Sequence, residues 1–352
     1  MNILFVMKHR GNAGNTHAVA NYMRVGPKYG HSVALHGEPV SWLPDLQFST
    51  DVRAFDRVVY LFESELYRVK PLQEVALLGT ISRDHRLIFD MDGMYNPVIW
   101  LDHYDFNHAS EAERNRWIEF YDTLADRVAK PMLAPSDNPR VTPMLFYGYD
   151  PVLEIDPASA PEKQFDILHV GHNWWRWREI GGEVLPGIDQ IRGEIGEIGF
   201  VGLWWDGPPP EGPEAGPEAA FESDPATFKR LRIQTTTAVM YSDVVRTMST
   251  AKINIFTQRP VLHHLRHLTL KYFEIFYADT IPLLMLEENH AIAVYGPAAR
   301  ELTLRGRVAE KISDALRRPD HYREVVQDVR RYLAKHYSYD LRVDELVTAL
   351  KN

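Results

Sequence analysis

The chain has 352 residues, a formal charge of -9, 45% apolar and 25% charged residues, and no cysteine. That length suits two domains of ordinary size, and the composition is that of a globular chain. The acidic balance argues against a nucleic-acid partner held by phosphate neutralisation, and the missing thiols exclude disulfides, a cysteine nucleophile and cysteine-ligated zinc.

Residues 2–7 have a buried-strand pattern, too short for a signal-peptide core, and run into Lys8-His9-Arg10. No stretch reaches the roughly 20 apolar residues of a membrane helix, so no membrane span is expected, and the absence of cysteine makes the cytosol the natural setting. The loop His9-Arg10-Gly11-Asn12-Ala13-Gly14 resembles a loose phosphate loop ahead of a helix reaching Met23. It lacks a third glycine and an acid about 20 positions on, which disfavours NAD. Strands are expected over 57–62 and 86–90, and a charged helix over 110–125 with Ser110 and Glu113 as a capping box. Strand–helix alternation predicts parallel βαβ units.

The Pro-, Asp- and Ser-rich stretch 135–161 marks a domain boundary, after which the pattern restarts. Strands are expected over 165–171, 197–202 and 252–256, with a helix over 242–250. The Pro/Gly/Glu-rich segment 206–225 is expected to lack regular structure. Closing helices are read over 307–316, 321–336 and 339–350. Two doubly wound, Rossmann-like α/β domains facing a cleft follow from this restart, with ligands outside the carboxyl ends of the strands.

Residues 269–284 read as a short helix, a tight turn and a buried strand, with Leu270, Phe273 and Tyr277 toward a core. Lys271 and Glu274 share the opposite face. A helix start beside the basic stretch His263-His264-Leu265-Arg266-His267 is suited to phosphate, and a carboxylate one turn on is suited to a ribose diol. A nucleotide-diphosphate site follows. His263, His264 and His267 lack a nearby carboxylate, so no metal is expected there.

Several segments in this order resemble GT-B glycosyltransferases, in particular the CgeB-like (spore-maturation-protein) and group 1 families. They are His169-Val170-Gly171 with Arg178-Glu179-Ile180; Phe200-Val201-Gly202-Leu203-Trp204; Tyr241-Ser242-Asp243 and Asn254; Lys271-Tyr272-Phe273-Glu274 with Ala278 and Pro282; and His336-Tyr337-Ser338-Tyr339-Asp340-Leu341-Arg342. The similarity runs from about residue 165 onward and is architectural before it.

The resemblance implies an acceptor domain over 1–155, a nucleotide-sugar domain over 156–335, and a terminal helix over 336–352 crossing back to the first domain. It implies a hexosyl transfer from a nucleoside-diphosphate sugar such as a UDP-sugar to an acceptor hydroxyl, without cofactor or metal. Glu274 would hold the ribose. Lys271 and Arg178 would clamp the diphosphate near Gly171, with Tyr272 and Arg266 in the same donor set, and Met240 and Tyr241 would pack the base. His9, Arg10, Gly11 and Asn12 would line the cleft on the acceptor side. In group 1 enzymes an E-x7-E pair is common, and its first position falls here on Arg266; the usual Arg-x4-Lys pair is absent. A sugar-nucleotide epimerase and a non-catalytic nucleotide-sugar-binding protein share these expectations.

Other readings remain open on the residues themselves. Asp92 and His103 are candidates for the base on the acceptor hydroxyl, though a capping or salt-bridged acid fits the same pattern. Asp90-Met91-Asp92 matches the DxD of metal-using transferases by chance, since that motif belongs to a different fold. Arg176 and Arg178 fit surface charges on an aromatic helix start, and Arg178 fits a phosphate ligand equally well. Trp174, Trp175 and Trp177 form core or interdomain packing, or a stacking platform.

Overall fold

Buried strands followed by amphipathic helices produce two parallel sheets. The computed structural model describes residues 1–7, 14–62, 72–95, 111–207 and 218–351. Seven strands form the first sheet: β1 (Asn2–Val6), β2 (Ser32–His36), β3 (Phe48–Ser49), β4 (Arg57–Phe62), β5 (Arg86–Asp90), β6 (Val128–Lys130) and β7 (Val141–Pro143). Their order is β3-β2-β1-β4-β5-β6-β7, with parallel neighbours throughout. Ile3, Leu4, Phe5 and Val6 are all within 1% of complete burial, as expected for a strand covered on both faces.

The second sheet has β8 (Phe165–Val170), β9 (Ile198–Val201), β10 (Ile233–Thr236), β11 (Ala251–Phe256) and β12 (Ile281–Leu284), in the order β10-β9-β8-β11-β12 and again parallel. Strand order reverses between β1 and β4 in one sheet and between β8 and β11 in the other. Such reversals open a crevice at the carboxyl ends of the strands.

The chain divides into two compact units. One comprises Met1–Gly148, Val261–Leu270 and Tyr337–Asn352; the other comprises Tyr149–Pro260 and Lys271–His336. In the first unit Tyr22, on helix Gly14–Val25, meets Tyr339 edge-on at 5.8 Å. Helix Tyr339–Lys351 has its last carbonyls covered by arginines: Arg57 Nε donates to Leu350 O at 2.8 Å and Arg127 Nη2 to Ala349 O at 3.0 Å. Leu268 N donates to Pro131 O at 2.6 Å, which fixes segment Val261–Leu270 in this unit.

In the second unit the long helix Pro319–His336 is anchored by buried Arg330. Its guanidinium donates to Phe276 O at 2.8 Å and Ala278 O at 2.9 Å, and lies 3.2 Å from Glu154. Tyr149 stacks on Tyr277 at 4.8 Å. These contacts lock the turn that follows Glu274.

Two sequence expectations change. Segment 206–225 is partly regular: Glu218–Phe221 forms a 3-10 turn with Ala220 and Phe221 buried, and Asp224 caps helix Pro225–Arg230 by accepting from Ala226 N at 3.0 Å. Buried aromatic area outweighs the Pro- and Gly-rich composition there. Strands β2, β3, β6, β7 and β10 and helices Leu72–Gly79 and Glu288–Tyr295 were not read from the sequence. β3, β6 and β7 have two or three residues each, and β10 is polar at an edge. Among the described residues, no helix is long and apolar enough to cross a membrane.

Candidate functional site

The crevice between β8 and β11 gathers the charged groups. At the end of β8, His169 is fully buried and its Nδ1 lies 2.9 Å from Ile255 O. A carbonyl only accepts, so Nδ1 carries the proton and Nε2 presents a lone pair. That Nε2 is buried without a hydrogen-bond partner among the described residues. Burial, then Lys271 and Arg176, hold this imidazole well below its ordinary pKa, so it is neutral. His172 is pushed down to about 4 by the same causes and faces Leu203 N at 3.1 Å.

Gly171 lies between them at φ +156, and a side chain there would run into the Lys271 ammonium. Gly202, after β9, is equally constrained, because a Cβ would strike the Gly171 carbonyl. The two loops cross at van der Waals distance, and only glycine permits it. Trp205 fixes the crossing, donating from Nε1 to Gly171 O at 2.8 Å.

Lys271 and Glu274 open and close a single-turn helix, Lys271–Glu274. The Lys271 ammonium donates to Val170 O. Burial and the nearby Arg176 charge lower its pKa. Glu274 is 6% exposed, and its carbonyl accepts from Tyr277 N at 3.0 Å. Burial raises its pKa, and the Lys271 charge opposes that rise. The sequence reading placed this pair on the face away from the core, whereas the structure buries the acid beside a cation. One turn of helix carries little macrodipole, so positive charge here comes from side chains.

The other expected donor residues fare differently. Tyr272 is buried and its hydroxyl meets Gln258 Oε1 and, at 3.2 Å, His290 Nε2, so it braces the helix from beneath. Arg178 is exposed; the neighbouring Arg176 is half-buried, donates to His172 O, and is the charge felt by His169, His172 and Lys271. Tyr241 opens helix Tyr241–Met248, with Met240 just ahead of it and 56% exposed. Arg266 is exposed at φ +53, where it ends helix Pro260–His264 in the first unit.

The tryptophan cluster is packing. Trp174 meets Phe221 at 5.0 Å and Trp204 at 6.0 Å, and Trp177 stacks on Phe228 at 6.0 Å. Trp175 and Trp204 hold left-handed φ values of 59° and 65° in the loops after β8 and β9. Bulky residues adopt that region only where surrounding structure enforces it, commonly near functional sites.

In the first unit Asp90 is a structural acid. It is fully buried and accepts from Met94 N at 2.8 Å, Tyr95 N at 2.9 Å and the Tyr121 hydroxyl at 2.9 Å, with Lys130 at 3.8 Å. Its neighbour Asp92 is half-buried in the loop after β5. His103 and the loop residues His9, Arg10, Gly11 and Asn12 lie outside the described residues. Among the described residues no cluster of three or more His, Asp or Glu is arranged to hold a metal ion.

His169, His172, Arg176, Glu179 and Gln258 escaped the sequence assignment. The available signal was position: polar residues at or just past the ends of apolar strands.

No family model matches this chain, and no curated protein matches it. Solved structures do. A sucrose-phosphate synthase from Thermosynechococcus elongatus is similar with a TM-score of 0.65 at 11% identity, over 99% of this chain and 98% of that one. An α-glucosyltransferase in complex with UDP-glucose and DNA containing an abasic site gives 0.60 at 11% identity, over 100% and 99%. T4 phage BGT in complex with UDP and Mn2+ gives 0.57 at 11% identity, covering both chains completely, 100% each. At these identities the likeness is one of fold: two parallel α/β domains, as in GT-B glycosyltransferases.

Proposed function

We propose that this protein is a glycosyltransferase that moves a hexose from a nucleoside-diphosphate sugar, with UDP the favoured nucleotide, to a hydroxyl of an acceptor. The observation that carries this reading is Glu274: a buried carboxylate one turn from a half-buried lysine, at the strand-order reversal of a parallel sheet. A carboxylate held this far from water is costly, and two ribose hydroxyls would stabilise it by hydrogen bonding. The fold shared with UDP- and UDP-glucose-bound transferases supports the same nucleotide.

In this reading the diphosphate lies beside the Lys271 ammonium, which occupies the space a side chain at Gly171 would take. As the bond from the anomeric carbon to the diphosphate breaks, negative charge grows on the leaving oxygen. Lys271 and Arg176 oppose it. Met240 and Tyr241 pack the base. Asp92 and His103 are the candidates for the base on the acceptor hydroxyl. These charges meet the leaving group without an assigned cation, and turnover in EDTA tests that. The acidic net charge favours a small-molecule, glycan or protein acceptor over a nucleic acid, and the cysteine-free composition suits the cytosol.

A thermal-shift screen against nucleoside diphosphates and their sugars tests the proposal. A ligand at 100 times its Kd adds about 2.7 kcal/mol of stability. UDP and UDP-glucose should raise the melting temperature, and a panel in which no nucleotide shifts it contradicts the reading.

A further inference from the structure

One buried acid beside the donor site has no role in the account above. Glu179 ends the short helix Trp177–Glu179 that follows β8 and is 9% exposed. Its Oε1 accepts from Arg305 Nη2 at 2.6 Å, while Oε2 is buried without a hydrogen-bond partner among the described residues. The same Arg305 nitrogen donates to Met285 O at 3.2 Å, immediately after β12. The backbone amide of Gln258, two residues past β11, also faces the Glu179 carboxylate. Gln258 in turn accepts from the Tyr272 hydroxyl, and Tyr272 lies between Lys271 and Glu274. A single carboxylate therefore connects the segments leaving β8, β11 and β12 to the helix that carries the donor contacts.

We propose that Glu179 is a positioning residue whose ionised carboxylate, through Gln258 and Tyr272, sets Lys271 and Glu274 for donor binding, so that donor affinity follows its ionisation. The proposal rests on the donor-site reading above. The charged surroundings make the link sensitive. Arg305 is also approached by Glu287 at 3.4 Å and Glu183 at 3.8 Å, so a protonated Glu179 loses Arg305 to those two acids. Burial pushes the Glu179 carboxyl from 4.5 up to about 7, against the opposing pull of Arg305 and Arg176. Lys271, its own pKa lowered by burial to about 7, sheds charge over the same range and opposes the rise in wild type and in Glu179 variants alike.

Two consequences run in opposite directions. Between 4.5 and about 7 the carboxyl is ionised in the unfolded chain and protonated in the folded one. Its contribution to stability therefore falls as pH rises through that window, while donor affinity rises. A residue that merely stabilised the fold would move both together.

The experiment is calorimetric titration of UDP-glucose, whose diphosphate charge is constant over the range, from about pH 6 to about pH 8.5. The ratio of wild-type to Glu179→Gln affinity, in which the titration of Lys271 cancels, should grow severalfold toward the alkaline end. Glu179→Gln should match wild type at the acid end and fall away from it as the pH rises, and Glu179→Asp should recover part of the difference. Arg305→Gln, a second variant should Glu179→Gln fail to fold, should shift the rise to higher pH because the opposing charge is gone. A Glu179→Gln profile that stays parallel to wild type at every pH, or an Arg305→Gln profile that does not move, overturns the proposal and leaves the donor site standing. Failure of UDP-glucose to bind wild type at any pH overturns both.

Discussion

The Lys271 ammonium donates to the Val170 carbonyl and covers the α-carbon of Gly171, so the end of β8 and the helix Lys271–Glu274 form one surface. That relationship explains why a glycine, a lysine and an acid far apart in sequence belong to one site.

Gly171→Ala should break it. The added methyl must displace the ammonium, and alanine is strained at φ +156. UDP affinity should fall by about tenfold or more, equivalent to about 1.4 kcal/mol, with far-ultraviolet circular dichroism unchanged. Wild-type affinity in a folded Gly171→Ala variant removes the diphosphate from this spot.

Lys271→Ala should act chiefly on turnover, since the lysine opposes charge that grows as the leaving group departs. A loss of about a hundredfold in kcat is expected from removal of one such group. Full activity with any acceptor that wild type uses takes Lys271 out of the leaving-group clamp.

Arg176 and Arg178 should separate. Arg176 is half-buried and is the cation sensed by Lys271, His169 and His172, whereas Arg178 is exposed. Arg176→Ala should weaken UDP binding several-fold, and Arg178→Ala should leave it within a factor of two, roughly 0.4 kcal/mol. The reverse ranking contradicts the placement of the diphosphate beside Arg176.

Asp90→Ala should unfold the first unit readily. It removes the acceptor for Met94 N, Tyr95 N and the Tyr121 hydroxyl and leaves Lys130 buried without its counter-charge. A loss of roughly 3–5 kcal/mol in urea denaturation is expected. A loss under about 1 kcal/mol shows that Asp90 is not the acid organising this loop.

The parallel α/β architecture was legible because β1, β4, β5, β8, β9 and β11 are apolar runs ending in polar loops, and periodicity detects that pattern. Helix Tyr339–Lys351 was legible from its spacing. β6 and β7, at three residues each, and polar β10 give no such signal. Glu274 was readable as a site acid from its place in a short helix before a buried strand, but its burial was not, since the helix pattern put it opposite the core. Arg178 was preferred to Arg176 because family spacing ranks positions and says nothing about which side chain turns inward. Glu179 passed unnoticed for a related reason: its importance comes from Arg305 and Gln258, which only folding brings to it.

The most direct test is calorimetric titration of UDP into wild type, Glu274→Ala and Glu274→Gln. Loss of hydrogen bonds from the ribose to a charged group should weaken binding by roughly 1.5–3 kcal/mol in Glu274→Ala, with Glu274→Gln between it and wild type. Equal affinity in all three proteins, each folded, means that the buried carboxylate does not hold the nucleotide and that the site described here is not a donor site.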